Sequence, residues 1–288
     1  MLIHLKDVSY TYNINMPFET RAIKSINIQI DKGDFVGIIG HTGCGKTTLL
    51  QLFNGLLEPS QGGVLIDGVN IHSKKTRLKD IRKRIGLTFQ YPENQLFEET
   101  VFKEIAFGPK NLGVKDELLE EKVRSALEMV EMDYLSYKDR SPFTLSGGEM
   151  RRVAIASILA IDPEVIILDE PTASLDPQSR YGLLNLIREL HHKHHKTIIL
   201  VSHNMQVIAE LVKRILVMEK GKIVLDDTPR NIFQNHAEQI KNIGLALPSV
   251  SYVMHRLKQI GKPVNTGVLT VEEASNEIMT LARKRNHR

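Results

Sequence analysis

Cysteine is nearly missing from this chain: Cys44 is the only one in 288 residues, which excludes an intrachain disulfide and suits a reducing compartment. Long apolar runs are missing too. Stretches such as residues 35–39 and 165–168 fall far short of the roughly 20 residues that cross a bilayer, so no membrane-spanning helix is expected. No basic leader followed by an apolar stretch and a small-residue cleavage site opens the chain, and a secretory signal is therefore not expected. Internal repeats, low-complexity stretches and nucleic-acid motifs with interleaved aromatics are absent, which argues against nucleic acid as a partner. The net charge of +4 is small, and it is carried by the tail: from Asn235 onward eight Lys and Arg face four Asp and Glu. Such an excess reads as a solvated tail.

A composition of 42% hydrophobic and 25% charged residues is that of a folded chain long enough for one large domain and a small appendage. Residues 2–8, 23–30 and 64–71 alternate between apolar and polar in the manner of half-exposed antiparallel strands. Residues 35–39, 165–168 and 198–201 are continuously apolar and rich in β-branched side chains, as strands buried on both faces of a parallel sheet require. Each precedes a polar loop and a helical pattern, the grammar of an α/β domain. Residues 90–160 are mostly helical in pattern and predict a helical insertion, and residues 215–225 predict a hairpin about Lys220-Gly221.

After Asn235 the pattern changes. Val250, Val253, Leu257 and Ile260 recur at helical spacing until Gly261-Lys262-Pro263, and Thr270 with Glu273 predicts a capping box for a second helix bearing Ala274, Ile278 and Leu281 on one face. The run His191-His192-Lys193-His194-His195 predicts a solvated helix end, since consecutive helical positions point around the circumference and no carboxylate or thiol cluster joins them.

Gly40-His41-Thr42-Gly43-Cys44-Gly45-Lys46-Thr47 has the spacing of a phosphate-binding loop between a buried strand and a helix. Glycines there let successive backbone N–H groups and the helix N-terminus converge on phosphate oxygens. Lys46 would add charge to the β- and γ-phosphates, and the Thr47 hydroxyl would serve Mg²⁺, with Thr48 completing the nucleotide contacts. The strand ending in Asp169-Glu170 supplies the second half: Asp169 for the Mg²⁺ shell and Glu170 to orient the attacking water. Alone, an apolar strand ending in two acids is more often structural; following a phosphate loop, it points to nucleotide hydrolysis.

Leu145-Ser146-Gly147-Gly148-Glu149 stands 23 positions before Asp169 and resembles the signature motif of ATP-binding-cassette ATPases. Tyr12, Gln90, Ser174-Leu175-Asp176 and His203 follow that family's order across about residues 1–230, and no guanine-reading Asn-Lys-x-Asp is present. The resemblance implies an α/β P-loop NTPase cassette with a parallel core sheet, an N-terminal antiparallel β subdomain, a helical subdomain near 91–160, and a small helical C-terminal domain. The nucleotide-binding domain would span 1–234 and a dimerisation domain 235–288. It further implies that two chains pack head to tail, with Ser146 and the following N–H groups of one chain on the γ-phosphate held by the other. Tyr12 would stack on adenine, Gln90 would join Mg²⁺ and water to a mobile loop, His203 would sense the γ-phosphate, and Asp176 would couple the two sites.

Tyr91-Pro92-Glu93-Asn94-Gln95-Leu96-Phe97, together with the small domain beginning near Gly244-Leu245-Ala246-Leu247-Pro248, is similar to the energy-coupling-factor transporter ATPases. Met16-Pro17-Phe18-Glu19-Thr20-Arg21 and Gly40-His41-Thr42-Gly43 are similar to the second, CbiO-like, of their two paralogous ATPase subunits. That resemblance implies import of a vitamin or transition-metal ion, a sister ATPase as partner, a transmembrane coupling subunit, a substrate-binding membrane subunit, and a peripheral place on the cytoplasmic face of the membrane. ATPases of other importers or exporters, and soluble cassette proteins acting on nucleic acid or ribosomes, are the competing readings. Tyr91, Leu96 and Phe97, with Pro92, Glu93 and Gln95 among them, are expected to form an exposed patch that docks the membrane subunit. Val250, Val253 and Leu257 are expected to bury against the sister ATPase. Cys44, where the family most often has serine, is expected to be a reactive thiol because it lies beside Lys46 and a helix N-terminus.

Overall fold

Alternation in the opening residues produces a four-stranded antiparallel sheet, in the order Thr20–Ile30, Ile3–Tyr12, Gln61–Ile66, Val69–Asn70. Its register sets Ile3 opposite Ile30, Leu5 opposite Ile28 and Val8 opposite Ile26, so one face is a continuous apolar layer. The computed structural model describes residues 2–286, without the side chains of Pro92 and residues 284–286. It divides into two compact units: Met1–Asp34 with Thr47–Val201, and Phe35–Lys46 with Ser202–Arg288.

In the first unit, Ile85–Thr88 pairs in parallel with Val165–Asp169, which pairs in parallel with Thr197–Val201. Every residue of the latter two strands is buried, the condition that their unbroken apolar sequences anticipate. The helices Val101–Asn111, Asp116–Met129 and Gly147–Leu159 form the helical insertion. Thr100 caps the first of them by accepting a hydrogen bond from the Lys103 N–H.

In the second unit, Phe35–Gly40 pairs in parallel with Arg214–Glu219, which turns back into Lys222–Asp227. Among the described residues five helices follow Val201, including Pro229–Asn235 and Ala237–Asn242, two short elements that the hydropathy pattern does not predict. Ser249–Gln259 and Val271–Asn286 are the two expected amphipathic helices. They close a small core of Val250, Met254, Val264 and Val268, with Leu257, Ala274 and Leu281 packed against it. The capping box differs in detail: Thr270 accepts from the Glu273 N–H, but the Glu273 carboxylate accepts from the N–H of Leu269, one residue before the cap. Ile278, Val253 and Ile260 stay exposed.

His191 departs from the solvated helix end: its ring is buried, with Nδ1 within 3.2 Å of the Lys196 carbonyl. Among the described residues no His, Cys, Asp or Glu cluster suits a metal ion, and no helix is long and apolar enough to cross a membrane.

Candidate active site and coupling segment

The phosphate loop is shaped by its glycines. A Cβ at Gly40 would fall 2.5 Å from the Met218 carbonyl and 2.6 Å from the Cys44 sulfur, and Gly43 and Gly45 have φ of +79° and +108°. Lys46 is buried, and its ammonium donates to the carbonyls of Gly40 at 2.7 Å and His41 at 3.1 Å, so the charge is held against the loop. His41 turns its Nδ1 to the Thr42 carbonyl. The Cys44 carbonyl accepts from the Gly221 N–H, which anchors the loop.

Cys44 corrects the sequence-based expectation. The thiol is buried, with 1% of its surface exposed. Burial pushes its pKa up, outweighing the opposite pull of Lys46 and the backbone N–H groups. It is a packed side chain, because its sulfur fills the space beside Gly40.

Thr47 and Asp169 are brought together across 122 positions of sequence, with the Thr47 hydroxyl donating to Asp169 Oδ2 at 3.1 Å. Thr48, next in the helix, is hydrogen-bonded at 3.0 Å to the hydroxyl of Tyr12, whose ring meets Tyr10 edge-on. The loop's helix and Tyr12 are thereby joined. Glu170 follows the strand Val165–Asp169 in a left-handed conformation, φ +50°, with its N–H donated to the Val201 carbonyl. Gln90 is exposed after the strand Ile85–Thr88, and His203 is exposed just before the helix Met205–Leu211, which Asn204 caps.

The signature segment builds a complete capping box. Ser146 Oγ accepts from the Glu149 N–H, and Glu149 Oε2 accepts from the Ser146 N–H, so Ser146 opens the helix Gly147–Leu159. The hydroxyl of Tyr137 donates to the other Glu149 oxygen at 2.7 Å, and these bonds hold the Glu149 carboxyl below the usual carboxylate range. Leu145 is buried while Ser146 and Gly147 face solvent. A Cβ on Gly148 would meet the Ser179 hydroxyl at 2.8 Å, whereas one on Gly147 would meet nothing of this chain within 4 Å. Asp176 caps the helix Pro177–His192 by accepting from the Gln178 and Ser179 N–H groups, which depresses its carboxyl pKa. Ser174 before it takes φ +61°, and Leu175 is half-buried.

In the coupling segment the structure divides the expected patch. Phe97 is 56% exposed and meets Phe107 edge-on, Tyr91 is 38% exposed, and Gln95 is exposed. Leu96 is buried, contrary to expectation. It lines a groove of about 200 Å³ with Leu87, Phe107, Ala154 and Ile158, beside a second of about 190 Å³ that shares Leu87 and Ile158. Glu93 is also withdrawn, because both its oxygens bind the guanidinium of Arg151. The Pro92 side chain lies outside the described residues. Glu104, which no motif signalled, is buried and accepts from the N–H groups of Phe97 and Glu98, fixing the end of the segment. Only its place in an otherwise apolar helical face, next to Ile105, hinted at a buried role.

The profile of the ABC transporter family matches residues 23–173. Two curated relatives carry the name energy-coupling factor transporter ATP-binding protein EcfA2. The one from Caldanaerobacter subterraneus subsp. tengcongensis is 52% identical over 98% of both chains. That from Clostridium tetani is 47% identical over 98% of this chain and 97% of its own. Among solved structures, CbiO1 from Clostridium perfringens, described as part of the ABC transporter complex cbiONQ, superposes with a TM-score of 0.74 at 34% identity, covering 88% of this chain and 98% of that one. The ATP-binding cassette MJ0796, solved as a dimer in a post-hydrolysis state bound to ADP and Pi, gives 0.71 at 29% identity over 79% of this chain and 99% of that one. By the family profile over half its length and by relatives of this identity and coverage, the chain belongs to the ABC transporter family, among the energy-coupling factor transporter ATP-binding proteins.

Proposed function

We propose that this ATPase subunit works as half of a nucleotide-closed pair and drives import of a vitamin or transition-metal ion through separate membrane subunits. The observation that carries the reading is the contact between Thr47 and Asp169, which sets a hydroxyl and a carboxylate of two distant segments side by side at the phosphate loop. Two hard oxygen donors in that position fit Mg²⁺, which would neutralise β- and γ-phosphate oxygens when bound. Lys46 and the loop N–H groups hold the phosphates; Tyr12, tied to Thr48, offers its ring to adenine.

Glu170 is the group for the water: its carboxylate accepts the proton as the water oxygen attacks the γ-phosphorus, and the bond to the bridging β-oxygen breaks to leave ADP and phosphate. Gln90 and His203 are assigned to position that water and the γ-phosphate. The sister ATPase completes the site. Gly147 is a glycine that neither a positive φ nor any neighbour in this chain requires, which fits a surface that another molecule's phosphates approach closely. Ser146 and the N-terminus of its helix then supply donors to that phosphate. Loss of the γ-phosphate removes contacts from both chains at once, and the pair opens.

The exposed aromatics Tyr91 and Phe97, the latter packed on Phe107 of the first groove, are the docking place for a helix of the transmembrane subunit. Residues 235–288 serve dimerisation through what their own core leaves exposed, Tyr252 and Val253, since Val250 and Leu257 are spent internally. The placement is therefore peripheral, on the cytoplasmic side of the membrane complex.

Glu170→Gln tests the chemistry. ATP binding should persist, turnover should fall by about a hundredfold or more, and the ATP-bound pair with the sister subunit should accumulate in light scattering. Unimpaired turnover would remove Glu170 from the base role.

A further inference from the structure

Arg151 is the fifth residue after Ser146 on the signature helix, and its side chain is 1% exposed. A guanidinium offers N–H donors in a fixed plane, and here all three of its nitrogens have acceptors. Nε and Nη2 bind both oxygens of Glu93 at 2.6 to 3.1 Å, while Nη1 donates to the carbonyls of Pro171 at 2.9 Å and Ala173 at 2.6 Å. Pro171 directly follows Glu170, and the Ala173 N–H returns to the Glu170 carbonyl at 3.1 Å. The same loop then runs through Ser174, at φ +61°, into Asp176. Glu93 sits in the single turn Pro92–Gln95, between Tyr91 and Leu96 and three residues after Gln90. One buried cation thus joins three segments of the first unit: the coupling turn, the signature helix, and the backbone that carries Glu170.

We propose that Arg151 is a positioning residue that makes the docking state of the coupling segment felt at Glu170, by holding Glu93 on one edge of its guanidinium and the Pro171–Ala173 backbone on the other. This rests on the reading of Tyr91 and Phe97 as the docking place and of Glu170 as the base. The physical reason is the rigidity of the plane. A displacement of Glu93 cannot be absorbed by rotating single hydrogen bonds, because the bidentate pair fixes the guanidinium in orientation as well as position. It cannot be absorbed by breaking the pair either, since that strands a cation with almost no access to water. Movement of the turn therefore turns the guanidinium, and the carbonyls of Pro171, the residue after Glu170, and of Ala173 move with it. Tyr91, in a left-handed conformation at φ +59°, begins the turn.

The test uses the full complex of both ATPases and the membrane subunits, with three variants: Glu93→Gln, which keeps the shape of the side chain but drops its charge; Arg151→Lys, which keeps the charge but loses the plane; and Glu93→Asp, which keeps the charge one methylene shorter. The expected result is a fall in kcat of tenfold or more for Glu93→Gln and Arg151→Lys, with KM for ATP within about twofold of the parent. Glu93→Asp should recover at least a third of the parent kcat. In the double variant Glu93→Gln, Arg151→Lys, the two losses should fail to multiply. Multiplying losses would overturn the proposal, as would a KM that rises in step with the fall in kcat. Variants that no longer assemble with the membrane subunits in detergent would overturn it too, by making Glu93 a docking residue. If instead Glu170→Gln turns over normally while Glu93→Gln does not, the assignment of the base has failed and the linkage has not.

Discussion

Thr47 Oγ1 lies 3.1 Å from Asp169 Oδ2, which joins the first turn of the phosphate-loop helix to the end of a strand 122 residues further along. In the Mg²⁺ shell proposed above both groups would serve one hard cation, and their effects would be coupled. Thr47→Val and Asp169→Asn should each raise the Mg²⁺ concentration giving half-maximal turnover by about tenfold or more, and the double variant should be little worse than the worse single one. Phosphate release measured across a Mg²⁺ titration checks this; an unchanged midpoint in both single variants would remove them from the metal shell.

Cys44 should label slowly in the native protein. Its thiol is buried and its pKa is pushed up, so both access and thiolate fraction are low at neutral pH. Maleimide incorporation followed by mass spectrometry should be at least about tenfold slower than in the urea-unfolded chain, and should quicken as pH rises. The sign for stability follows from the same shift. A folded-state pKa above the unfolded value of about 8.5 favours the folded chain below that pH, and the advantage is lost as pH rises through the folded value. Cys44→Ser should therefore weaken the alkaline decline in thermal stability.

Gly147→Ala separates folding from function. Nothing in this chain stands within 4 Å of the added methyl, and alanine suits a helix better than glycine by about 0.5–1 kcal/mol. The variant should melt at or slightly above the parent temperature while ATP-dependent pairing with the sister subunit drops at least tenfold. Full pairing at full stability would mean that no phosphate approaches this turn.

Glu149 gives a pH test of the signature helix itself. The Tyr137 hydroxyl and the Ser146 cap hold its carboxyl below the ordinary value, so its contribution is complete above about pH 4.3 and is lost as pH falls through the lowered value. Glu149→Ala should cost about 1 kcal/mol at pH 7 by urea denaturation, and the difference from the parent should shrink toward pH 3.

Phe97→Asp is the cleaner probe of docking, because the ring is exposed and meets Phe107 edge-on, whereas Leu96 is buried and its replacement would disturb the helical insertion. Recovery with the membrane subunits in detergent should be lost, with nucleotide affinity within about twofold of the parent. Retained recovery would assign Phe97 to the chain's own surface.

What the amino-acid order determined by itself is the chemistry that lies within a few consecutive residues. A phosphate loop needs glycines at set spacings between a buried strand and a helix, and a capping box needs Ser146 and Glu149 three apart, so both are written in short segments. The parallel strands are equally legible, since burial on both faces demands an unbroken apolar run. Tertiary structure alone decided what each side chain meets across the fold. Leu96, Val250 and Leu257 have the same apolar character whether they face a partner or their own core, and only packing against other segments of the chain buried Leu96 and Val250 and half-buried Leu257. Glu93 looked like part of a polar surface until Arg151, 58 residues away, claimed both its oxygens. Cys44 stands beside a lysine in sequence, but its pKa is governed by the volume it fills behind Gly40, because desolvation acts through everything that surrounds the sulfur and not through its neighbours in the chain.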